Sequence, residues 1–417
     1  MLEIDKIRDD FPILKQTRTD KPFIFLDNSA TTLKPWHVQN AICNYYEHYS
    51  ANALRGDYDQ SYFVDKKIEE ARKKICQFIG AEFVDEIIFT SGATEALNLA
   101  AFGYGKFHLK AGDIILTTIA EHASCLLPWI KVAQETSATI NWIPLDETGR
   151  LNINKMKQML NDKVKFIVLA HVTNVLGYLS PIKEICQLAH QKNIIVVVDG
   201  AQSISQHDIN VQDLDCDFFA FSGHKICGPT GIGVLYGKAK LLKEMMPLHW
   251  GGGSNIFYDM HGEIQLKRSP YKFESGTLAL EAIFGFSEAI DYLENIGIKE
   301  IYHHVMELKR YAVKEMKKMP NIILYNSEAD SGIITFNVKG IFAGDVAKYF
   351  NNHGICIRSG EHCTKLLHSH LNTLSTLRAS IYFYNTKNEI DIFLNACQNA
   401  TKENCYKIIF ANSSLLK

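Results

Sequence analysis

Lys225 stands just past the end of an apolar run. Phe218 to Phe221 stops at Ser222-Gly223, and His224 and Lys225 follow at once. Gly228, Pro229, Gly231 and Gly233 punctuate the chain before a second apolar run from Val234 to Tyr236. Four apolar residues closed by such punctuation predict a buried strand end, which puts the lysine amine at the rim of a sheet. An amine there can form a Schiff base with a carbonyl; for an arbitrary lysine, a surface position is the simpler account. Three distant stretches bear on that choice. Ser91-Gly92-Ala93-Thr94-Glu95 joins a strand to a helix, where free backbone N–H groups and the Thr94 hydroxyl suit a phosphate. Such a loop also serves as a plain helix cap. Asp199, in Asp199-Gly-Ala-Gln202, closes an almost purely apolar strand. A buried carboxylate needs a cationic partner, and a protonated ring nitrogen would serve, although an aspartate capping a helix accounts for it equally well in isolation. His122 follows a strand and is placed to stack on an aromatic ring, where a lone histidine is more often structural.

Phosphate, pyridinium, ring stacking and aldehyde together describe pyridoxal 5′-phosphate. Their joint occurrence, in this order on strand ends, is far more specific than any one of them. The run from Gly228 to Gly233 invites comparison with a nucleotide loop, but a strand rather than a helix follows it and no Gly-Lys-Ser/Thr is present.

The elements that must position these residues alternate. Strands are expected over 23–26, 87–90, 113–118, 138–143, 164–169 and 194–198, joined by the two apolar runs around Lys225. Helices are expected over 35–49, 62–79, 94–101, 124–135 and 181–192. This spacing predicts crossovers and a mainly parallel sheet with helices on both faces. Functional groups in such sheets gather at the carboxyl ends of the strands, where Thr90 to Gly92, Glu121-His122, His171, Asp199 and Ser222 to Lys225 all fall. A hairpin-bearing insertion over 256–275 follows, then helices to about residue 318 and an α+β pattern with strands over 332–338, 355–358 and 377–382. The expected organisation is an N-terminal arm (1–20) packing on the small domain, a large domain (21–291) and a small C-terminal domain (292–417).

Composition narrows the class. The 417 residues are 47% hydrophobic and 22% charged, with a formal net charge of -2, ordinary for a soluble protein of two domains. That balance offers no footprint for nucleic acid or an anionic membrane, and no apolar run approaches membrane-spanning length. The N-terminus mixes charge signs and lacks a signal-peptide core, so a cytoplasmic protein is expected. The ten cysteines are scattered without Cys-x-x-Cys pairs, which favours reduced, mostly structural thiols over zinc or disulfides. No metal site is expected.

The chain resembles the class V aminotransferase-type cysteine desulfurases, closest to their SufS/CsdA (group II) branch. The matching segments cover nearly the whole chain: Leu26-Asp-Asn-Ser-Ala-Thr-Thr-Leu-Lys-Pro35, Glu121-His122 with Pro128-Trp129, His171-Val-Thr-Asn-Val-Leu-Gly177, Asp199-Gly-Ala-Gln202 and Ser222-Gly-His-Lys225 through Gly233. Gly251 to Ser254, Phe273-Glu-Ser-Gly-Thr277, the short loop Arg358-Ser-Gly-Glu-His-Cys363 and Leu377-Arg-Ala-Ser380 with Tyr384-Asn-Thr386 complete the set.

The resemblance implies the type I fold of pyridoxal-phosphate-dependent transferases, with a mainly parallel, seven-stranded sheet in the large domain and a smaller C-terminal α+β domain. It implies that Lys225 holds the cofactor and moves the substrate proton, that Asp199 keeps the ring nitrogen protonated, that Gln202 bonds the ring hydroxyl and that His122 stacks on the ring. Thr94, Ala93, Ser222 and His224 would bind the phosphate, joined by Thr277 from the partner of a homodimer. Arg378 would grip the carboxylate of L-cysteine, with Asn174 and Arg358 assisting. Cys363 would take the sulfur as a persulfide, leaving alanine, and pass it to a SufE-like or SufU-like acceptor for iron–sulfur assembly or other sulfur transfer. His362 and Arg358 are the sequence neighbours that could tune its thiol; Cys43, Cys76 and Cys186 read as buried apolar fillers.

The chain departs from the family at Arg55-Gly-Asp-Tyr58, at Leu278-Ala279, at Ala343-Gly344 and at Thr364 to Leu366. The departure before Asp345 removes a histidine with which some relatives take zinc from their acceptor. A close alternative keeps the cofactor and changes the substrate to selenocysteine or cysteine sulfinate. A remote one is a non-catalytic scaffold of the same fold.

Overall fold

The computed structural model describes residues 2–16, 21, 23–54 and 56–413, without the side chains of 408–413. Arg55, the first residue of one departing segment, lies outside the described residues, as do residues 1 and 17–20 of the expected N-terminal arm and 414–417 at the other end.

After a two-residue strand, β1 (Ile24–Phe25), come β2 (Ile87–Thr90), β3 (Ile114–Thr117), β4 (Thr139–Trp142), β5 (Val164–Ala170), β6 (Ile195–Asp199), β7 (Phe218–Ser222) and β8 (Gly233–Gly237). The last seven form one sheet in the order β2-β8-β7-β6-β5-β3-β4. From β7 to β4 the pairing is parallel; β8 alone runs antiparallel to both its neighbours, β7 and β2. The strands feed a core on each face. Ile167, Leu169, Val196 and Val198 point into one cluster, while Val168 and Val197 join Trp129 in another, the period-two alternation of a sheet covered on both sides. Because the parallel strands end together, Thr117, Ala170, Asp199 and Ser222 close β3, β5, β6 and β7 along one edge.

β9 (Asn255–Tyr258) and β10 (Ile264–Leu266) form an antiparallel hairpin with Ile256, Tyr258 and Met260 exposed. The protruding part is narrower than the expected 256–275. Lys272, Phe273 and Glu274 are buried, and Glu274 grips Arg72 through two oxygens at 2.7 and 2.9 Å while accepting the Phe89 N–H.

The Leu280–Ile296 and Ile298–Met316 helices meet at Gly297, whose φ of 93° only glycine adopts freely. The boundary expected at 291/292 falls inside the first of them. Beyond lie β11 (Ile322–Leu324), β12 (Ile333–Val338), β13 (Ile355–Cys356), β14 (Arg358–Gly360) and β15 (Thr376–Ser380). β11-β12-β15-β14 is an antiparallel sheet, whereas β13 pairs in parallel with β1. The single strand expected over 355–358 is therefore shared between two sheets. In the N-terminal segment, Arg8 donates to the Tyr384 carbonyl (2.6 Å) and pairs with Glu389, and Phe11 is fully buried against Tyr292, Phe383 and Tyr384. Asp27, just past β1, bridges to Ser380 at the end of β15, which brings the second sheet to the edge of the first. Among the described residues no helix is long and apolar enough to cross a membrane.

Candidate active site

A cavity of about 390 Å³ opens at that edge. Its walls include Ala93, Thr94, His122, Asn174, Asp199, Gln202, Ser222, His224, Lys225, Arg358, Cys363 and Arg378. Of the residues expected to bind cofactor or substrate, Thr277 is the one left outside: it is exposed and does not line the cavity of its own chain.

One end is built from the turn between β2 and the Ala93–Asn98 helix. Ser222 at the end of β7 accepts the Ala93 N–H at 2.7 Å, and Thr94 Oγ1 lies 2.9 Å from Ser124 Oγ. Here the two strands approach closely: a Cβ on Gly233 would sit 2.4 Å from the Gly92 Cα. His224 completes this end. Burial, then the charges of Lys225 and Lys34, push its imidazole down to about 4, so it faces the cavity neutral. Hydroxyls, backbone N–H groups at a helix start and a neutral imidazole are a donor set for a phosphate ester.

The middle holds the titrating groups. Asp199 is buried, with Oδ1 accepting the Ala201 N–H at 2.9 Å. His122 caps the Ala123–Thr136 helix: its Nδ1 accepts the Ser124 N–H at 3.1 Å, so the proton of the neutral ring is on Nε2. Burial first and the Lys225 charge second hold this ring neutral. Behind it Glu121 is fully enclosed and pushed up to about 7 by burial, although Thr118 and the Ala170 N–H both bond it at 2.6 Å. Lys225 presents its amine to the cavity and is otherwise surrounded by protein. That enclosure lowers it to about 8 against the pull of Asp199, with Arg378 and Arg358 lowering it further. Gln202 donates to the Ser29 carbonyl at 2.8 Å, which leaves its carbonyl oxygen for a ligand. A low amine, a buried carboxylate, a flat neutral ring and a phosphate-sized donor cluster fit pyridoxal 5′-phosphate.

The other wall comes from the second sheet. Arg378 on β15 is buried; Nη1 donates to the Asn174 carbonyl at 2.8 Å and Nη2 lies 3.7 Å from Asp27. Burial pulls it down to about 10, still a cation at neutral pH. Arg358 holds Asp27 with Nε and Nη2 at 3.0–3.2 Å. Asp27 thus sits between two arginines, a place that its sequence position, hundreds of residues from both, gives no sign of.

Cys363 is exposed at this wall. His362 and Cys363 both occupy the left-handed region, at φ 50° and 57°, a backbone that costs about 1–3 kcal/mol per residue. Three bonds from the first sheet's side hold it. The Ala123 N–H donates to the Cys363 carbonyl (2.8 Å), Asn174 donates to the His362 carbonyl (2.7 Å), and Thr364 donates to Asn174 Oδ1 (2.9 Å).

Two expectations need correction. His362 is not a cation beside the thiol: its ring is buried against Thr376 and His368, and burial with the Arg378 charge pushes its pKa far down. Arg358, paired with Asp27, does line the cavity with Cys363. Cys43, read as a buried filler, is exposed on the Trp36–His48 helix, whereas Cys76 and Cys186 are buried. Sequence reasoning also passed over Lys34, whose Nζ donates to the His224 carbonyl at 3.1 Å. Among the described residues there is no cluster of three or more metal-ligating side chains.

The aminotransferase class-V family model matches residues 24–393. A relative from Halalkalibacterium halodurans, named a probable cysteine desulfurase, is 41% identical over 401 residues, covering 96% of this chain and 98% of its own. The apo structure of a cysteine desulfurase from Thermococcus onnurineus superposes with a TM-score of 0.91 at 34% identity, covering 97% of this chain and 99% of its own. The cysteine desulfurase CsdA of Escherichia coli, in an S-sulfonic acid form, gives 0.88 at 32%, covering 95% and 98%. With the motifs, the fold and near-complete coverage in agreement, the chain belongs to the aminotransferase class-V family and, within it, to the cysteine desulfurases.

Proposed function

We propose that the protein converts L-cysteine to L-alanine and carries the sulfur away on Cys363. The observation that supports this most is the meeting, in one cavity, of an enclosed amine at the end of β7 and an exposed thiol on a loop of the second sheet. Pyridoxal 5′-phosphate, when bound, supplies an electron sink for the carbon that loses its proton. Ala93, Thr94, Ser222 and His224 would hold its phosphate, Asp199 its ring nitrogen, Gln202 its hydroxyl, and His122 would lie against its ring.

Arg378 takes the substrate carboxylate through its planar fork, with Asn174 and Arg358 at the sides. Lys225, with an amine near 8, takes the proton from the substrate Cα and returns one. The Cys363 thiolate attacks the substrate sulfur. The sulfur–sulfur bond forms as the carbon–sulfur bond breaks, and the electron pair stays on the carbon, which a proton then completes to alanine. Cysteine plus the Cys363 thiol thus gives alanine plus a persulfide, with atoms and electrons balanced.

The exposure of Cys363 suits delivery of that sulfur to a SufE-like or SufU-like acceptor for iron–sulfur cluster assembly or other sulfur transfer. The exposed position of Thr277, outside its own cavity, supports a homodimer in which it reaches the phosphate of the second copy. Gly297 is where we divide the large from the small domain, with the N-terminal arm on the latter, and a reducing cytoplasm suits the exposed nucleophilic thiol. Incubation with L-cysteine tests the reading: mass spectrometry should find one added sulfur on the Cys363 peptide, and Cys363→Ala should abolish it and slow alanine formation at least a hundredfold. Undiminished alanine formation by Cys363→Ala would remove the thiol from the reaction.

A further inference from the structure

Two buried polar atoms beside the cavity have no partner: Nε of Arg378 and Nδ1 of His362. They are of opposite kind, one a donor and the other a lone pair. The histidine proton must be on Nε2, which lies 3.1 Å from the Thr376 carbonyl oxygen, a group that only accepts, and 3.0 Å from Thr376 Oγ1. The same rule fixes the next ring. His368 Nδ1 lies 3.2 Å from the Thr364 carbonyl and must donate, so its Nε2 accepts from the Thr376 hydroxyl at 3.2 Å. The protons are thereby placed: His362 Nε2–H is shared between the Thr376 carbonyl and Oγ1, Thr376 O–H goes to His368 Nε2, and His368 Nδ1–H goes to the Thr364 carbonyl.

The arginine is joined to the histidine through Asn174, which donates to the His362 carbonyl and accepts from Arg378 Nη1. Thr376 and Arg378 are two residues apart on β15 and share one face, and the Arg378 charge acts on the His362 ring, second only to burial. Arg378 is held by its terminal nitrogens, Nη1 on Asn174 and Nη2 near Asp27. A substrate carboxylate that meets the guanidinium end-on takes those two nitrogens. An anchor at Nε is the one that survives that exchange.

We propose that His362, Thr376 and His368 form a one-directional hydrogen-bond chain that positions Arg378, its Nε–H closing onto His362 Nδ1 when a substrate carboxylate draws the guanidinium's terminal nitrogens. The proposal rests on the desulfurase reading of the site. The chain ends on the carbonyl of Thr364, the residue after Cys363, so capture of the carboxylate and placement of the nucleophile loop share one set of bonds. His362, Thr376 and His368 are positioning residues; His368 and Thr376 do not line the cavity.

The test compares L-alanine with L-alaninamide, which has no anionic carboxylate, by titrating each into the holoenzyme and following the visible band of the bound cofactor. His368→Leu and Thr376→Val should weaken L-alanine about tenfold, the worth of one hydrogen bond to a charged group, and leave L-alaninamide within about twofold. Thr376→Ser, which keeps the hydroxyl, should restore the alanine affinity. With L-cysteine the KM should rise. Equal loss for both ligands, unchanged alanine affinity in both variants, or failure of Thr376→Ser to restore it would each overturn the chain. A wild-type protein whose band does not respond to L-alanine would overturn the desulfurase reading and the proposal with it.

Discussion

Lys225 shows how much of a residue's chemistry is borrowed. A solvated lysine amine is almost wholly protonated at neutral pH; enclosure at the end of β7 brings this one to about 8. The rate at which the apoprotein captures pyridoxal phosphate should therefore rise with pH, pass half its maximum near 8 and level off. Stopped-flow absorbance reads this directly, and a midpoint near that of a free lysine would show the enclosure to be ineffective. Asp27 is the converse case, a carboxylate whose meaning comes entirely from the two arginines that fold onto it. Asp27→Asn should loosen Arg358 and Arg378 and raise the KM for cysteine several-fold, about the cost of one charge-assisted contact; an unchanged KM would show Arg378 to be held by Asn174 alone.

At the scale of elements, close approach does the positioning. The turn that carries Ala93 and Thr94 is pressed against β8 so tightly that Gly233 admits no side chain. Gly233→Ala should push the turn off the sheet, lowering stability by about 1–3 kcal/mol and weakening cofactor affinity in the same titration. The buried pair of Arg72 and Glu274 pins the chain after the hairpin to β2. Glu274→Ala leaves the buried guanidinium with only the half-exposed Glu69 at 3.5 Å as a counter-charge, a loss of up to about 3–5 kcal/mol, which a denaturant midpoint would reveal. The hairpin itself was legible from its mixed polar and aromatic residues around Pro270, but its anchored end was not. Glu274 looks like any loop carboxylate until Arg72 is seen beside it.

For the whole molecule, the position of Thr277 makes a prediction about assembly. If it completes the phosphate site of a second copy, Thr277→Ala should weaken cofactor binding. A mixture of that variant with Lys225→Ala should recover one intact site per mixed dimer: the lysine from one chain and the threonine from the other. Absorbance of the remixed protein measures the recovery, and no gain over the separate variants would place Thr277 outside the site.

The alternation of apolar runs and helical periods predicts the main sheet, because each parallel strand is buried on both faces and its composition has little freedom. The ends of those strands predict Lys225, Asp199 and His122 for the same reason: they are polar residues where apolar runs stop. What only the tertiary structure decides is the wall contributed by the second sheet. The strand pairing of β1 with β13, the Asp27 bridge to Ser380 and the bonds from Ala123 and Asn174 to the Cys363 loop join residues far apart in the chain. Hydrogen bonds of this kind leave no periodicity in either partner. His362 is the clearest instance. By sequence it stands next to the nucleophile and reads as its activator; in the fold its ring turns into the sheet against Thr376, is held neutral by burial, and leaves Nδ1 without a partner.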